Sequence, residues 1–226
     1  MATKETQNRI LTTAIALFND HGTAKISANR IADECNLSRG NLYYHYNNKQ
    51  GIINAIYQRM AAEIKSDWVN DIEYPTVDHM LRMFDRQLEL IWRYRFFYRE
   101  LTALLADDEL LQQRFSRDRQ DRTEVIVEYC KALIDNGVLF GPKDPRSLRN
   151  LVKLSWILSD NLINYIAVDT PNVYPNCLSE GYELLIDLFR PYFTREAQDA
   201  LAARRLLDKP HAAEGSMIRA SVGQTP

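Results

Sequence analysis

The chain has 226 residues, with 28 Lys and Arg against 30 Asp and Glu, for a formal net charge of -2. That length allows one sizeable core or a small unit fused to a larger one. With only 8 Gly and 8 Pro and apolar residues recurring three and four apart, the sequence predicts an all-α fold and gives sheets little support.

Charge is uneven along this length. Residues 1–50 carry six basic and four acidic side chains and the remainder 22 against 26, so a phosphate-bearing partner belongs at the N-terminal end. The first predicted helix runs from about Glu5 to His21, with Ile10, Leu11, Ala14, Leu17 and Phe18 on one stripe and Gly22 as its stop. Ser27 then caps a short helix carrying Ile31, Ala32 and Cys35, and Ser38 caps another carrying Leu42 and Tyr46. Between them Asn36 tolerates a left-handed backbone, which allows a sharp turn. A longer helix follows from Lys49, with Ile52, Ile53, Ile56, Tyr57, Met60 and Ile64 at helical spacing.

In the rest of the chain Pro75, Pro145, Pro175 and Pro191 mark helix boundaries, where a missing N–H costs least. Helices are expected near 76–94, 97–106, 108–136, 146–168, 177–190 and 195–207, and residues 208–226 lack periodicity and are expected to form a mobile tail. The domains expected are 1–48 and 49–207, ahead of that tail.

Two short helices joined by a tight turn are the helix-turn-helix device, in which the second helix enters the DNA major groove. Ile31, Ala32, Cys35, Leu37 and Leu42 can pack the pair, which leaves Arg39, Gly40, Asn41, Tyr43, Tyr44 and His45 outward. Arg suits guanine edges, Asn suits adenine, and aromatic rings press on thymine methyls. The alternative is a helical hairpin whose tyrosines pack a core.

Residues 5–64 resemble the tetracycline-repressor (TetR) family. The resemblance rests on Leu17-Phe18, Gly22, Ile31-Ala32, the run Leu37-Ser38-Arg39-Gly40-Asn41-Leu42-Tyr43-Tyr44-His45-Tyr46, and Lys49. One departure is Asn36, where the family usually has Gly. By position the resemblance implies phosphate contacts for Ser27, Tyr43 and Lys49, and base or nearby backbone contacts for Asn29, Arg39, Asn41, Tyr44 and His45. Gly40 implies close approach of helix to groove, and Arg30 and Ser38 complete the candidate DNA-binding set.

Such a head covers few bases, so the body is expected to supply a homodimer contact and the partner to be double-stranded DNA. Ser155, Ser159, Leu162, Gly181, Tyr182, Leu185 and Leu188 form stripes for a four-helix bundle across a twofold axis, with an internal core as the alternative. Residues 92–99 set five aromatics among three arginines. This run can bind single-stranded nucleic acid, pack a core with snorkelling arginines, or wall a ligand cavity. For the third reading the candidate lining is Trp92, Phe96, Phe97, Trp156, Asn161 and Tyr165, with a small apolar or amphipathic effector as the partner.

Cys35, Cys130 and Cys177 form no close pair, so no metal site, disulfide or cofactor is expected. Four His, no Gly-rich phosphate loop and no nucleophile motif speak against an enzyme. No stretch reaches the roughly 20 apolar residues of a membrane span, and no signal-peptide core is seen, so the expected location is the cytoplasm. The function expected is therefore a DNA-binding repressor released by an effector. The rival is a chromosome-organising or cell-division factor with a protein partner and no small ligand.

Overall fold

The computed structural model describes residues 2–68, 74–142, 144–169 and 176–207, and the expected tail at 208–226 lies outside them. The head comprises α1 (Ala2–His21), α2 (Ala28–Glu34) and α3 (Arg39–His45), and α4 (Lys49–Trp68) leads away from it. The body holds α5 (Val77–Arg93), α6 (Arg95–Arg99), α7 (Leu101–Asp107), α8 (Glu109–Asp135), α9 (Pro145–Asp169), α10 (Asn176–Phe189) and α11 (Arg195–Leu207). No helix among the described residues is long and apolar enough to cross a membrane.

Each helix forms where one stripe of its residues can leave water. Ile10, Ala14 and Phe18 of α1 meet Ile31 and Ala32 of α2, Leu42 of α3, and Ile52, Ile53 and Ile56 of α4. The same cluster runs on through Ile91, Phe96, Phe97 and Phe115 of the body, so apolar packing is continuous past residue 48. A second cluster joins Met80 and Leu81 of α5, Leu133 of α8, Val152 of α9, and Ile186 and Phe189 of α10.

The predicted helix at 97–106 begins two residues earlier and is broken at Glu100 into α6 and α7. The cause is a tertiary contact. Glu100 turns its carboxylate toward the α1–α2 turn, accepting the Thr23 N–H at 3.0 Å and the Thr23 hydroxyl. Gly22, at φ +80, sits so close that a Cβ there would lie 3.0 Å from the Glu100 Oε1 atom. Asn19 completes this clamp, its amide donating to the Arg93 carbonyl at 2.9 Å and its Oδ1 accepting the Phe96 N–H at 3.0 Å.

Candidate functional site

The turn between α2 and α3 is set by local chemistry. Asn36 has φ 52, in the left-handed region, where Asn is one of the few side chains that sit readily. Ser27 accepts the Arg30 N–H at 3.1 Å and Ser38 accepts the Asn41 N–H at 3.2 Å, so both helices begin with a side-chain cap. Within α3 only Leu42 is buried. Arg39, Gly40 and Asn41 are exposed, Tyr43 partly so, and Tyr44 is 80 % exposed. A Cβ on Gly40 would meet nothing within 4 Å, so this point of the helix faces open space.

The flanking candidates are partly engaged within the protein. His45 is half-buried and meets the Tyr44 ring edge-on at 5.3 Å. Arg30 pairs with Glu34 at 3.4 Å on the solvent side of α2. Asn29 is half-buried, and its Oδ1 atom is buried without a hydrogen bond. Lys49 donates from Nζ to the Thr23 carbonyl at 2.8 Å, which ties the start of α4 to the turn that Glu100 holds from the body. The head thus offers a continuous outer face of donors, acceptors and flat rings at α3, held from behind by the Glu100–Thr23–Lys49 contacts.

The six residues proposed as a ligand wall are not gathered. Phe96 and Phe97 are fully buried among Phe18, Tyr57 and Phe115, with ring centroids 5.2 to 6.1 Å apart. The bend at Tyr94 aims them at the head and at α8 instead of at a cavity. Trp92 is half-buried beneath the Arg95 guanidinium at 4.6 Å. Tyr165 is 65 % exposed and faces away.

Trp156 and Asn161 do line a cleft of about 540 Å³ between α6–α7, α8 and α9. Facing them are Tyr98 and Arg99, at the end of the run the sequence singled out, and Arg119 of α8, while Lys153 and Asp160 line the cleft from α9 itself. Trp156 also borders a small apolar cavity of about 50 Å³ lined by Met80, Phe84, Gln87 and Leu133. The buried Cys130 thiol beside it is pushed up to about 12 by burial alone. Asp160 is 8 % exposed, and burial raises its carboxyl from 3.8 to about 6 against the opposing pull of Arg119 and Arg122. No periodicity marks Asp160; its signal is its place four residues after Trp156 on the same helix face.

Four of the seven residues expected at a dimer contact are spent on packing inside the protomer. Ser159, Leu162, Gly181 and Leu185 are buried, and Ser155, Tyr182 and Leu188 are half-buried where α9 packs on α10. A Cβ at Gly181 would fall 2.3 Å from the Leu162 side chain, so the small residue serves close packing within one chain. Exposed instead are Leu154, Tyr165 and Val168 of α9 and, at the margin, Leu184 of α10.

Comparison with known proteins agrees with this architecture. A family profile described as "Bacterial regulatory proteins, tetR family" matches residues 10–56, and one described as "Bacterial transcriptional repressor" in TetR matches residues 56–201. The probable acrEF/envCD operon repressor of Escherichia coli K12 is 40 % identical over 53 residues, so the match spans 24 % of this chain and 24 % of that relative's length. A TetR-family regulator from Marinobacter aquaeolei VT8 superposes with a TM-score of 0.80 at 27 % identity, covering 88 % of this chain and 97 % of the other. SmeT, the efflux-pump repressor of Stenotrophomonas maltophilia, seen in complex with triclosan, shares the fold with a TM-score of 0.61 at 18 % identity, covering 85 % of this chain and 94 % of SmeT. The two profiles together span most of the chain, and it belongs to the tetR family of bacterial regulatory proteins.

Proposed function

We propose that the chain is a transcriptional repressor that grips a near-palindromic operator as a homodimer and lets go when a small apolar or amphipathic molecule occupies its body. The outer face of α3 carries this reading: a capped helix anchored by Leu42 alone presents Arg39, Asn41, Tyr43 and Tyr44 to solvent. In this reading residues 1–48 read DNA and 49–207 dimerise and bind the effector. Ser27, Tyr43 and Lys49 hold phosphate, while Asn29, Arg39, Asn41, Tyr44 and His45 reach bases or adjacent backbone. Repression is supported by the name of the Escherichia coli relative, and the small ligand by the triclosan-bound neighbour. Nothing in these relatives favours a chromosome-organising role.

Two heads must reach half-sites about 34–36 Å apart, so the body needs a twofold contact. Leu154, Leu158, Asn161, Tyr165 and Val168 are spaced four, three, four and three along α9, as in a helix–helix seam. Leu154 is 51 %, Tyr165 65 % and Val168 82 % exposed, an apolar row of the kind that marks an interaction surface. The double substitution Tyr165→Glu with Val168→Glu is expected to convert a dimer to a monomer in analytical sedimentation. A wild-type chain that sediments as a monomer at micromolar concentration defeats the dimer reading. Genome-wide footprinting followed by fluorescence anisotropy on the recovered sites tests the repressor reading, which fails if no duplex binds more tightly than random DNA of the same length.

A further inference from the structure

We infer that the cleft between α6–α7, α8 and α9 binds an amphipathic organic anion, an apolar body carrying one negative head group. This names the effector class for the repressor proposed above and rests on that reading only for its effect on DNA.

Charge makes the first argument. Beyond residue 50 the chain is net acidic, with 22 basic side chains against 26 acidic ones. Yet the ionisable residues lining the cleft are Arg99, Arg119, Arg149 and Lys153 against only Glu124 and Asp160. Arg149 is cancelled by a two-pronged pair with Glu124 at 2.5 and 2.8 Å. Arg119 reaches Asp160 only at 4.0 Å, outside hydrogen-bond range. Lys153 has no ion-pair partner among the described residues. Two positive charges are left over in a concave site whose walls focus their field.

The second argument is the apolar surface beside those charges. The floor suits the rest of such a molecule: Tyr98, Leu101, Trp156 and Ile157 offer apolar surface, and about 540 Å³ lies within the range of small-molecule sites.

Arg99 joins the cleft to the reading head. It lines the cleft, and its Nη2 also donates to the Asn19 carbonyl at 2.5 Å and the Phe18 carbonyl at 3.4 Å, at the end of α1. An anionic head group competes for that guanidinium, and each share it takes loosens α1 from the body beside the Glu100–Thr23 contact.

Isothermal titration of the full-length protein without DNA tests the assignment, using sodium octanoate, octyltrimethylammonium and inorganic phosphate as probes. Octanoate is expected to bind, and the other two are not. Lys153→Glu, an exposed change that leaves the core intact, should weaken octanoate about five- to tenfold, and Asp160→Asn should tighten it by a similar factor. Undetectable octanoate binding, equal binding of the cationic surfactant, or indifference to Lys153→Glu overturns the assignment. Operator affinity is measured separately with and without octanoate. A ligand that binds but leaves DNA affinity unchanged upholds the cleft and removes the effector step from the proposed function.

Discussion

α3 and α9 divide their surfaces in opposite ways. The seven residues of α3 have one buried anchor, Leu42, and nearly everything else on that helix is free for a partner. The 25 residues of α9 serve three masters: Val152, Ser159 and Leu162 pack within the protomer, Trp156 and Asp160 line the cleft, and Leu154, Tyr165 and Val168 stay exposed. A short helix held at one point can be read from its caps and its outward residues. A long helix with three occupied faces cannot, because periodicity finds a stripe without saying what covers it.

The sharpest way to break this comparison is to remove the single anchor. Leu42→Ala empties a fully buried site and is expected to cost about 2–5 kcal/mol, with operator binding lost because α3 no longer holds its orientation. Circular dichroism melting together with anisotropy checks it. If operator affinity survives, α3 is held by more than Leu42 and the contrast with α9 weakens.

The corresponding test in α9 uses pH. Asp160 titrates near 6 in the fold against 3.8 for its ordinary value, facing Arg119 and Arg122 from α8 and Tyr98 from α6. Because the folded value is the higher one, the protonated carboxyl favours the fold fully below about pH 4. That contribution is lost as pH rises through 6. Two pKa units correspond to about 3 kcal/mol as an upper bound. Asp160→Asn is therefore expected to raise Tm at pH 8 and to leave it unchanged near pH 4. A Tm gain of equal size at both values would mean that packing, not charge, is responsible.

How much was legible in the sequence follows the same division. Helix limits were readable to within a residue or two where Ser27, Ser38 and the prolines punctuate the chain. Asn36 was readable as the turn residue because left-handed backbone admits few side chains. The break at Glu100 was not, since it comes from a contact with Thr23, 77 residues away. Nor was the direction of Phe96 and Phe97: an aromatic run reads the same whether it fills a core or walls a cavity, and only the bend at Tyr94 decides. The stripe through Ser159 and Leu162 is a true apolar face, and periodicity alone did not say that α10 of the same chain packs against it.

Base and phosphate contacts differ by less. Arg39→Ala or Asn41→Ala is expected to cost about 1–3 kcal/mol on the operator and little on random DNA. Lys49→Ala should weaken both alike, through a lost phosphate contact and through the loosened Thr23 turn. Competition anisotropy with operator and random duplexes separates the two. Identical profiles for all three variants would show that α3 does not read bases.

The smallest effect belongs to Asn36, and it tests whether the turn is set by backbone conformation or by the amide. At φ 52 an alanine must bear a left-handed backbone that Asn adopts more readily, so Asn36→Ala is expected to cost about 1 kcal/mol. Glycine carries no such clash but adds freedom to the unfolded chain, and these opposing effects should leave Asn36→Gly within about half a kcal/mol of wild type. Chemical denaturation read alongside operator affinity distinguishes the cases. If Gly costs as much as Ala, the Asn36 amide holds the turn by a contact of its own, and the head is less purely a product of backbone geometry than its two capped helices imply.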